Sequence, residues 1–537
     1  MKPASNAAGV GKPPLAAKVV GSRVVARLRR VWVPLAVIVG LAAFLLPVAR
    51  QRLIDGDEGY LLVAARLMAE GELPYRDFFL PQGPVVPAVF GAAFSIVGRS
   101  WQSSRTLAGI LAVVMGWLVY RETLAVTRRR AAAVFATLLY AFSGLTIGWL
   151  TIVKGFGMAA LWLLVGVWLV GAAVRRPRAF CHHRTWAAAG AGVALGLAAS
   201  TRGYAIVVMP VLALYLLRES GRSRASVRRL GAYALGSVVG LLPLLASLAM
   251  AHEAFLFDTI LFHGVREYGQ DSFFGSAAAK LPLILKSLGL KQRASIEDRQ
   301  LLGMLLLATT AILLRARVRR GAGSAAAWVW PALFVASLLP NPFHPQYFSL
   351  LVPFLAIGGG QLFAVLLDGW QRWWPRLFRV AVPAAAFAYV VYQVTIGWLE
   401  RDCFLHSAKR VPGVMELERV PRWRIETVEA VAEEIDRFGL PVGASWWPGY
   451  FVSSRTSITR ALANDFGFRA AAVLFPEKRR RLHVASHQDL GDMIRRGQPR
   501  LFVEGNWADP ADVSQLPQQG YRHRASVSDV RIWVRDY

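Results

Sequence analysis

A polytopic α-helical membrane protein of about 11 spans, followed by a small α/β domain outside the membrane, is the fold class that three observations predict. Apolar residues make up 55% of the 537-residue chain, which carries 18 Trp, and they gather in repeated stretches long enough to cross a bilayer. The connections between those stretches alternate in charge: on one side they are crowded with Lys and Arg and hold only Glu122, Glu219 and Asp368 as acids. Beyond residue 401 charged residues become frequent and balanced, as on a water-exposed domain.

The segment 1–30 has basic residues, no acid and a Pro, Gly, Ala and Ser content typical of a disordered tail. Residues 31–48 form the first span. They follow a basic region as a signal peptide would, but their length and the lack of a small-residue cleavage site favour a retained anchor. By the positive-inside rule the tail is cytoplasmic and the next residues emerge outside. The loop over 50–100 then reads as a structured platform. Apolar positions Leu61, Leu62, Ala65 and Met68 describe a helix along the membrane surface, and 85–97 is too short to span and reads as re-entrant. Further spans are expected at 102–125, 131–150, 155–174, 186–200, 205–217, 230–250, 300–314, 325–339, 347–367 and 380–399. The odd count leaves the carboxyl-terminal domain, 401–537, outside the membrane domain, 31–400. In that last domain a helix is expected at 425–438, strands at 441–447, 500–503 and 530–534, and a second helix at 488–496.

The membrane domain is organised around Asp55-Gly56-Asp57-Glu58-Gly59-Tyr60, where three carboxylates follow the first span directly. Ionisable groups at a bilayer boundary are costly to desolvate, so they persist mainly where they face a cavity, partner or substrate. A plainer reading makes Asp57 a helix N-cap and Glu58 a first-turn acid. Arg105, Lys154, Arg202 and the His344-Pro345-Gln346-Tyr347 stretch fall at the outer ends of separate spans. Singly, Lys154 and Arg202 could snorkel to headgroups. Together they describe a cationic ring facing a carboxylate, an arrangement suited to a phosphate leaving group and a general base.

Other functions are disfavoured. The net charge of +29 is spread over loops between spans rather than on a soluble module with interleaved aromatics, which argues against nucleic acid. There is no Gly-rich phosphate loop, no Gly-x-Ser-x-Gly and no His-Glu-x-x-His. Cys181 and Cys403 are expected on opposite sides of the membrane, so no disulfide is foreseen. His483 and His487 have metal-like spacing without a recognisable third ligand. No cofactor is expected, and a divalent metal at the acid loop has no specific support. Gly190, Gly192 and Gly196 suit close helix packing in the bilayer.

The Asp57-Glu58-Gly59-Tyr60 stretch, the surface helix, Leu73-Pro74-Tyr75-Arg76-Asp77-Phe78-Phe79 and Arg105 resemble the first outer loop of the GT-C glycosyltransferases. This family includes the protein O-mannosyltransferases and the lipid A aminoarabinose transferase. Leu195 to Gly203 resembles their short-span motif ending in Lys-Gly, and Gln346-Tyr347-Phe348 with Pro353 resembles a late Tyr-Phe and Pro. The resemblance covers roughly 31–399. It implies a bacterial cell-membrane enzyme that moves a sugar from a polyprenyl-phosphate donor, with inversion, to an extracytoplasmic lipid, glycan or protein acceptor. It further implies Asp57 as general base, Glu58 as its orienting neighbour and Arg202 as a phosphate contact. Lys154, Arg105, His344, Tyr347, Tyr60, Tyr75 and Asp77 are then further substrate or phosphate contacts. Two departures stand out: Pro84 is preceded by Gln82-Gly83 where the aminoarabinose transferases place a basic residue, and Lys-Gly has become Arg202-Gly203. A flippase for lipid-linked sugars and a non-catalytic envelope scaffold are the competing readings. The first predicts charges within spans or broken helices in repeated halves.

Overall fold

The structure is a computed structural model. It describes residues 15–175, 181–221, 223–265, 277–288, 290, 296–318, 324–340, 343–373, 381, 384–385, 388–389 and 421–536. Helix α1 (Leu15–Gln51) begins well inside the expected tail; its span is Trp32–Gln51. The platform follows as α2 (Gly56–Ala69) and α3 (Val85–Val97), then α4 (Trp101–Thr127). The expected span 131–150 is broken into α5 (Arg130–Ala141) and a π-helix at Thr146–Leu150. Helices α6 (Gly155–Arg175), α7 (Cys181–Thr201), α8 (Val208–Ser220) and α9 (Arg224–Met250) follow. The short helices His252–Leu256, Phe262–Val265 and Ala277–Ser287 and the longer Ile296–Val318, Ala325–Ser337 and Val352–Trp373 come next. Among the described residues, six helical segments are long and apolar enough to cross a membrane. The expected span 380–399 and Cys403 fall largely or wholly outside the described residues.

Packing in the helical region follows from small residues. On α7, Gly192 and Gly196 lie against Gly236 and Gly240 of α9, and a Cβ on Gly196 would stand 2.6 Å from the Ser237 carbonyl oxygen. Gly190 instead faces Leu169 on α6. Two of the acids on the basic side are consumed by ion pairs. Glu122 is fully buried and accepts two hydrogen bonds from Arg175, at 2.9 and 2.6 Å, and Asp368 pairs with Arg129.

The carboxyl-terminal domain places a five-stranded sheet in the order β2-β1-β3-β5-β4. Strands β1 (Val442–Ser445), β2 (Ser457–Ile458) and β3 (Leu501–Glu504) are parallel; β5 (Val530–Arg535) runs antiparallel to β3 and to β4 (Tyr521–Val527). Helices Ile425–Arg437 and His487–Arg496 match the expected ones. β4 escaped the sequence reading because Arg522, His523 and Arg524 are exposed in succession and erase the period-two signal.

Helix α2 does not lie open on a membrane surface. Gly59 to Leu67, Arg66 included, are buried on every side. The carboxyl-terminal domain covers it. Arg66 reaches into that domain and donates to the carbonyls of Phe451 (2.5 Å) and Thr456 (2.9 Å). The Trp447 indole donates to the Gly56 carbonyl at 2.9 Å, and Trp101 stacks on Trp447 with ring centres 5.9 Å apart.

Candidate active site

The start of α2 sets the site. Asp55, not Asp57, is its N-cap: the Asp55 carboxylate accepts the Asp57 backbone N–H at 3.0 Å, and the Glu58 carboxylate accepts the Asp55 N–H at 2.7 Å, completing a capping box. With capping done by its neighbour, Asp57 keeps its side chain for the space in front of the helix. It is 24% exposed, whereas Asp55 and Glu58 are buried.

Glu58 and Arg105 form a fully buried bidentate pair at 2.6 and 2.7 Å. Arg105 spends its remaining donors on the carbonyls of Ala49 (2.8 Å), Arg52 (3.1 Å) and Leu53 (3.0 Å), and Glu58 also accepts from the Val153 N–H at 3.0 Å. Arg105, expected at a phosphate, is therefore saturated where it stands. It ties the end of α1, the start of α2 and α4 together.

Lys154 sits in the irregular stretch between the π-helix and α6, a break that brings its ammonium 2.9 Å from Asp55 and 3.0 Å from Asp57, with the Trp149 ring face 4.7 Å away. Burial pulls the ammonium pKa down, but Asp55 and Asp57 more than offset this and leave it raised. Lys154 was expected as a phosphate contact; its ammonium bridges two carboxylates. Among the described residues, the one grouping of His and carboxylates close enough to share an ion is elsewhere, at His487, Asp509 and Asp512. His483 does not join it: its backbone is left-handed, with φ 54°, and its ring nitrogen meets the Arg76 carbonyl at 2.8 Å.

Asp57, Tyr60, Arg202, His344 and Tyr347 line one small cavity of about 40 Å³, together with Pro81, Gln82, Phe262, His263, Gln346 and Phe466. Five site residues expected from the sequence thus converge from three separate segments: the start of α2, the end of α7 and the 344–347 stretch. Arg202 follows the end of α7 and lays its guanidinium over the Phe156 ring, 4.1 Å from the ring centre. Gly155 makes this possible, since a Cβ there would stand 2.6 Å from Arg202 Nε. That nitrogen is buried and has no hydrogen-bond partner among the described residues. Residues 155 and 156 open α6, whose first amide groups are unsatisfied within the helix, so Arg202 and the positive end of a 21-residue helix lie together. Tyr347 packs edge-on against His344 and Tyr204, at 5.8 and 6.2 Å between ring centres.

Tyr75 and Asp77 are not at the cavity. Tyr75, at φ 67°, donates its hydroxyl to the Gln82 carbonyl at 2.7 Å and holds the Pro81-Gln82 turn in place. Asp77 closes a local turn by accepting from the Leu73 N–H (2.8 Å) and the Arg76 guanidinium (2.8 and 2.9 Å); Arg76 holds its carboxyl below the usual range. Gln82 stands out in the sequence only as a departure, yet its amide meets the Tyr60 hydroxyl and its side-chain oxygen is buried without a partner among the described residues. Phe466 was missed altogether, because nothing in a soluble domain's sequence says which loop returns to the membrane site.

Asp258 was also missed. It lies in a second π-helix, Phe257–Leu261, and its carboxylate accepts the Leu80 N–H at 2.9 Å while the other oxygen has no partner among the described residues. Burial pushes its pKa well above the usual range, with the Leu80 hydrogen bond opposing. A group raised in the folded state stabilises below its unfolded pKa, and that contribution is lost as pH rises toward the folded value. The stability of the detergent-solubilised chain is therefore expected to fall as pH climbs above the ordinary carboxyl range. Asp258→Asn should flatten that slope in a thermal-unfolding series, and an unchanged slope would show that Asp258 is not its source.

Comparison with known proteins gives a consistent picture. Residues 81–249 match the family model described as dolichyl-phosphate-mannose-protein mannosyltransferase. No curated protein matches the chain. Among solved structures, ArnT from Cupriavidus metallidurans in the apo state is 16% identical, with a TM-score of 0.60, covering 93% of this chain and 97% of that one. The same protein bound to undecaprenyl phosphate gives 0.58 at the same identity and coverage. The Archaeoglobus fulgidus oligosaccharyltransferase in complex with Zn and sulfate gives 0.51 at 16% identity, covering 87% of this chain and 67% of that one. The chain is an integral membrane protein with the fold of ArnT, and over residues 81–249 it resembles the dolichyl-phosphate-mannose-protein mannosyltransferases.

Proposed function

We propose that this chain transfers a sugar from a polyprenyl-phosphate donor to an extracytoplasmic acceptor, with inversion, and that Asp57 is the general base. The observation that carries the proposal is the pairing, across one cavity, of a partly exposed carboxylate with a guanidinium whose buried Nε lacks a partner among the described residues. ArnT, whose fold this chain shares, has been solved with undecaprenyl phosphate, which supports a lipid-linked donor.

In this reading the acceptor hydroxyl oxygen attacks the anomeric carbon as the bond from that carbon to the phosphate oxygen breaks. The hydroxyl proton passes to Asp57, and the departing phosphate carries its charge toward Arg202 and the amino end of α6. Lys154 holds one oxygen of Asp57 and so fixes the direction of the other. Glu58 and Arg105 hold the platform rigid from behind. The cavity has room for a few waters rather than a sugar, so donor binding widens it. The amino terminus is placed in the cytoplasm and residues 401–537 outside, on a bacterial cell membrane, because the basic connections lie on the side of the amino terminus.

Arg202 gives a test of the donor side. Arg202→Ala should lower affinity for a polyprenyl phosphate more than Arg202→Lys, which keeps the charge and loses the planar fork and the stacking on Phe156. Equal binding by all three proteins in a lipid-phosphate titration would place the phosphate elsewhere.

A further inference from the structure

The carboxyl-terminal domain carries a surface that neither the cavity nor the sheet explains. Residues 472, 473, 475–478, 480 and 481 form an exposed run, in which Phe475 is 83% and Val473 48% accessible. The short helix Pro476–Arg481 places Lys478, Arg480 and Arg481 in water next to that phenyl ring. Arg479 alone of the basic four turns inward, to Asp489 at 2.8 Å.

This run lies beside the segment that leaves the membrane. Helix α9 ends at Met250, and Lys478 comes within 3.9 Å of Glu253, three residues on. Arg481 and Leu482 share a groove with Ala251 to Ala254. Farther along, Phe466 meets Phe262 with ring centres 6.1 Å apart, so the two segments also touch at the cavity. The membrane-side partner also exposes apolar groups: Leu256 at 40%, Ile260 at 60% and Leu261 at 57%.

A bare charge run is usually a solvated face. A run that adds a large exposed aromatic, and that is docked at the boundary of a span beside other exposed aliphatics, matches the chemistry of interfacial anchors. We infer that residues 473–481 rest on the leaflet at the carboxyl end of α9, with Phe475 at the headgroup–acyl boundary and Lys478, Arg480 and Arg481 on anionic lipid phosphates. The attachment fixes the covering domain over α2 from a second point, beyond its contacts with Arg66 and Trp101.

The test uses the full chain in nanodiscs, with Cys181→Ser and Cys403→Ser, and a polarity-sensitive fluorophore on Phe475→Cys. Val473→Cys is the second labelling position should the first destabilise the protein. In discs of phosphatidylcholine with phosphatidylglycerol, headgroup-region spin-labelled lipid should quench the probe. Quenching should weaken in phosphatidylcholine alone, and the ratio of docked to free probe should fall roughly five-fold for each of Lys478, Arg480 and Arg481 changed to Ala. An unquenched, water-exposed probe at both positions overturns the inference. So does a probe equally shielded in lipid-poor amphipol, which would assign the face to a second copy or another protein.

Discussion

Asp57→Asn is expected to lower turnover by ~10² to 10⁴ while leaving the fold and donor binding in place. The size follows from what the side chain does in the proposed step: the amide keeps the shape and the contact with Lys154 but cannot take the acceptor's proton. Its neighbours behave differently. Asp55 caps α2 and pairs with the buried Lys154, so Asp55→Asn keeps most of the cap and should lose much less activity than Asp57→Asn, whereas Asp55→Ala should cost about 1 kcal/mol for the cap and more for the buried partner that Lys154 loses. Steady-state transfer and melting temperatures on the three variants separate the roles. Normal turnover by Asp57→Asn would remove Asp57 as the base.

The second large effect is structural. Glu58 and Arg105 are both fully buried and paired in a bidentate geometry, so removing one partner leaves an uncompensated charge. Glu58→Gln or Arg105→Leu should destabilise the chain by about 3 to 5 kcal/mol. The double replacement Glu58→Met with Arg105→Leu should recover part of that loss, because it removes both charges together. A double-mutant cycle by detergent unfolding measures the coupling. Single variants as stable as the parent would mean the platform does not depend on this pair.

Much of this architecture was legible in the sequence for a physical reason: bilayer spans and their charge asymmetry are long-range signals that survive without any tertiary information. The acid cluster, Arg202, His344 and Tyr347 were legible because ionisable and polar groups at span ends are rare and costly. The sequence was silent where a group's role depends on its partner. Arg105 and Lys154 read as free cations, yet one is absorbed by Glu58 and the other by two aspartates. Glu58 and Arg105 stand 47 positions apart, and no local pattern announces a contact at that separation. The α5 break at 142–145 was invisible to hydropathy, since the residues around it are apolar enough to be counted as one span. The burial of α2 escapes the sequence for a related reason: its Arg66 charge favours a surface helix, and Arg66 is spent on carbonyls of the covering domain.

The measurement that bears most directly on the proposed activity is made on purified chain reconstituted in vesicles with a polyprenyl-phosphate sugar and an extract of envelope acceptors. Mass spectrometry of the lipid phase follows both the donor and the freed polyprenyl phosphate. Transfer predicts that the donor loses one sugar, that polyprenyl phosphate accumulates, and that Asp57→Asn abolishes both. An intact donor that instead moves between leaflets at the same rate with either protein would contradict the account and make the chain a flippase.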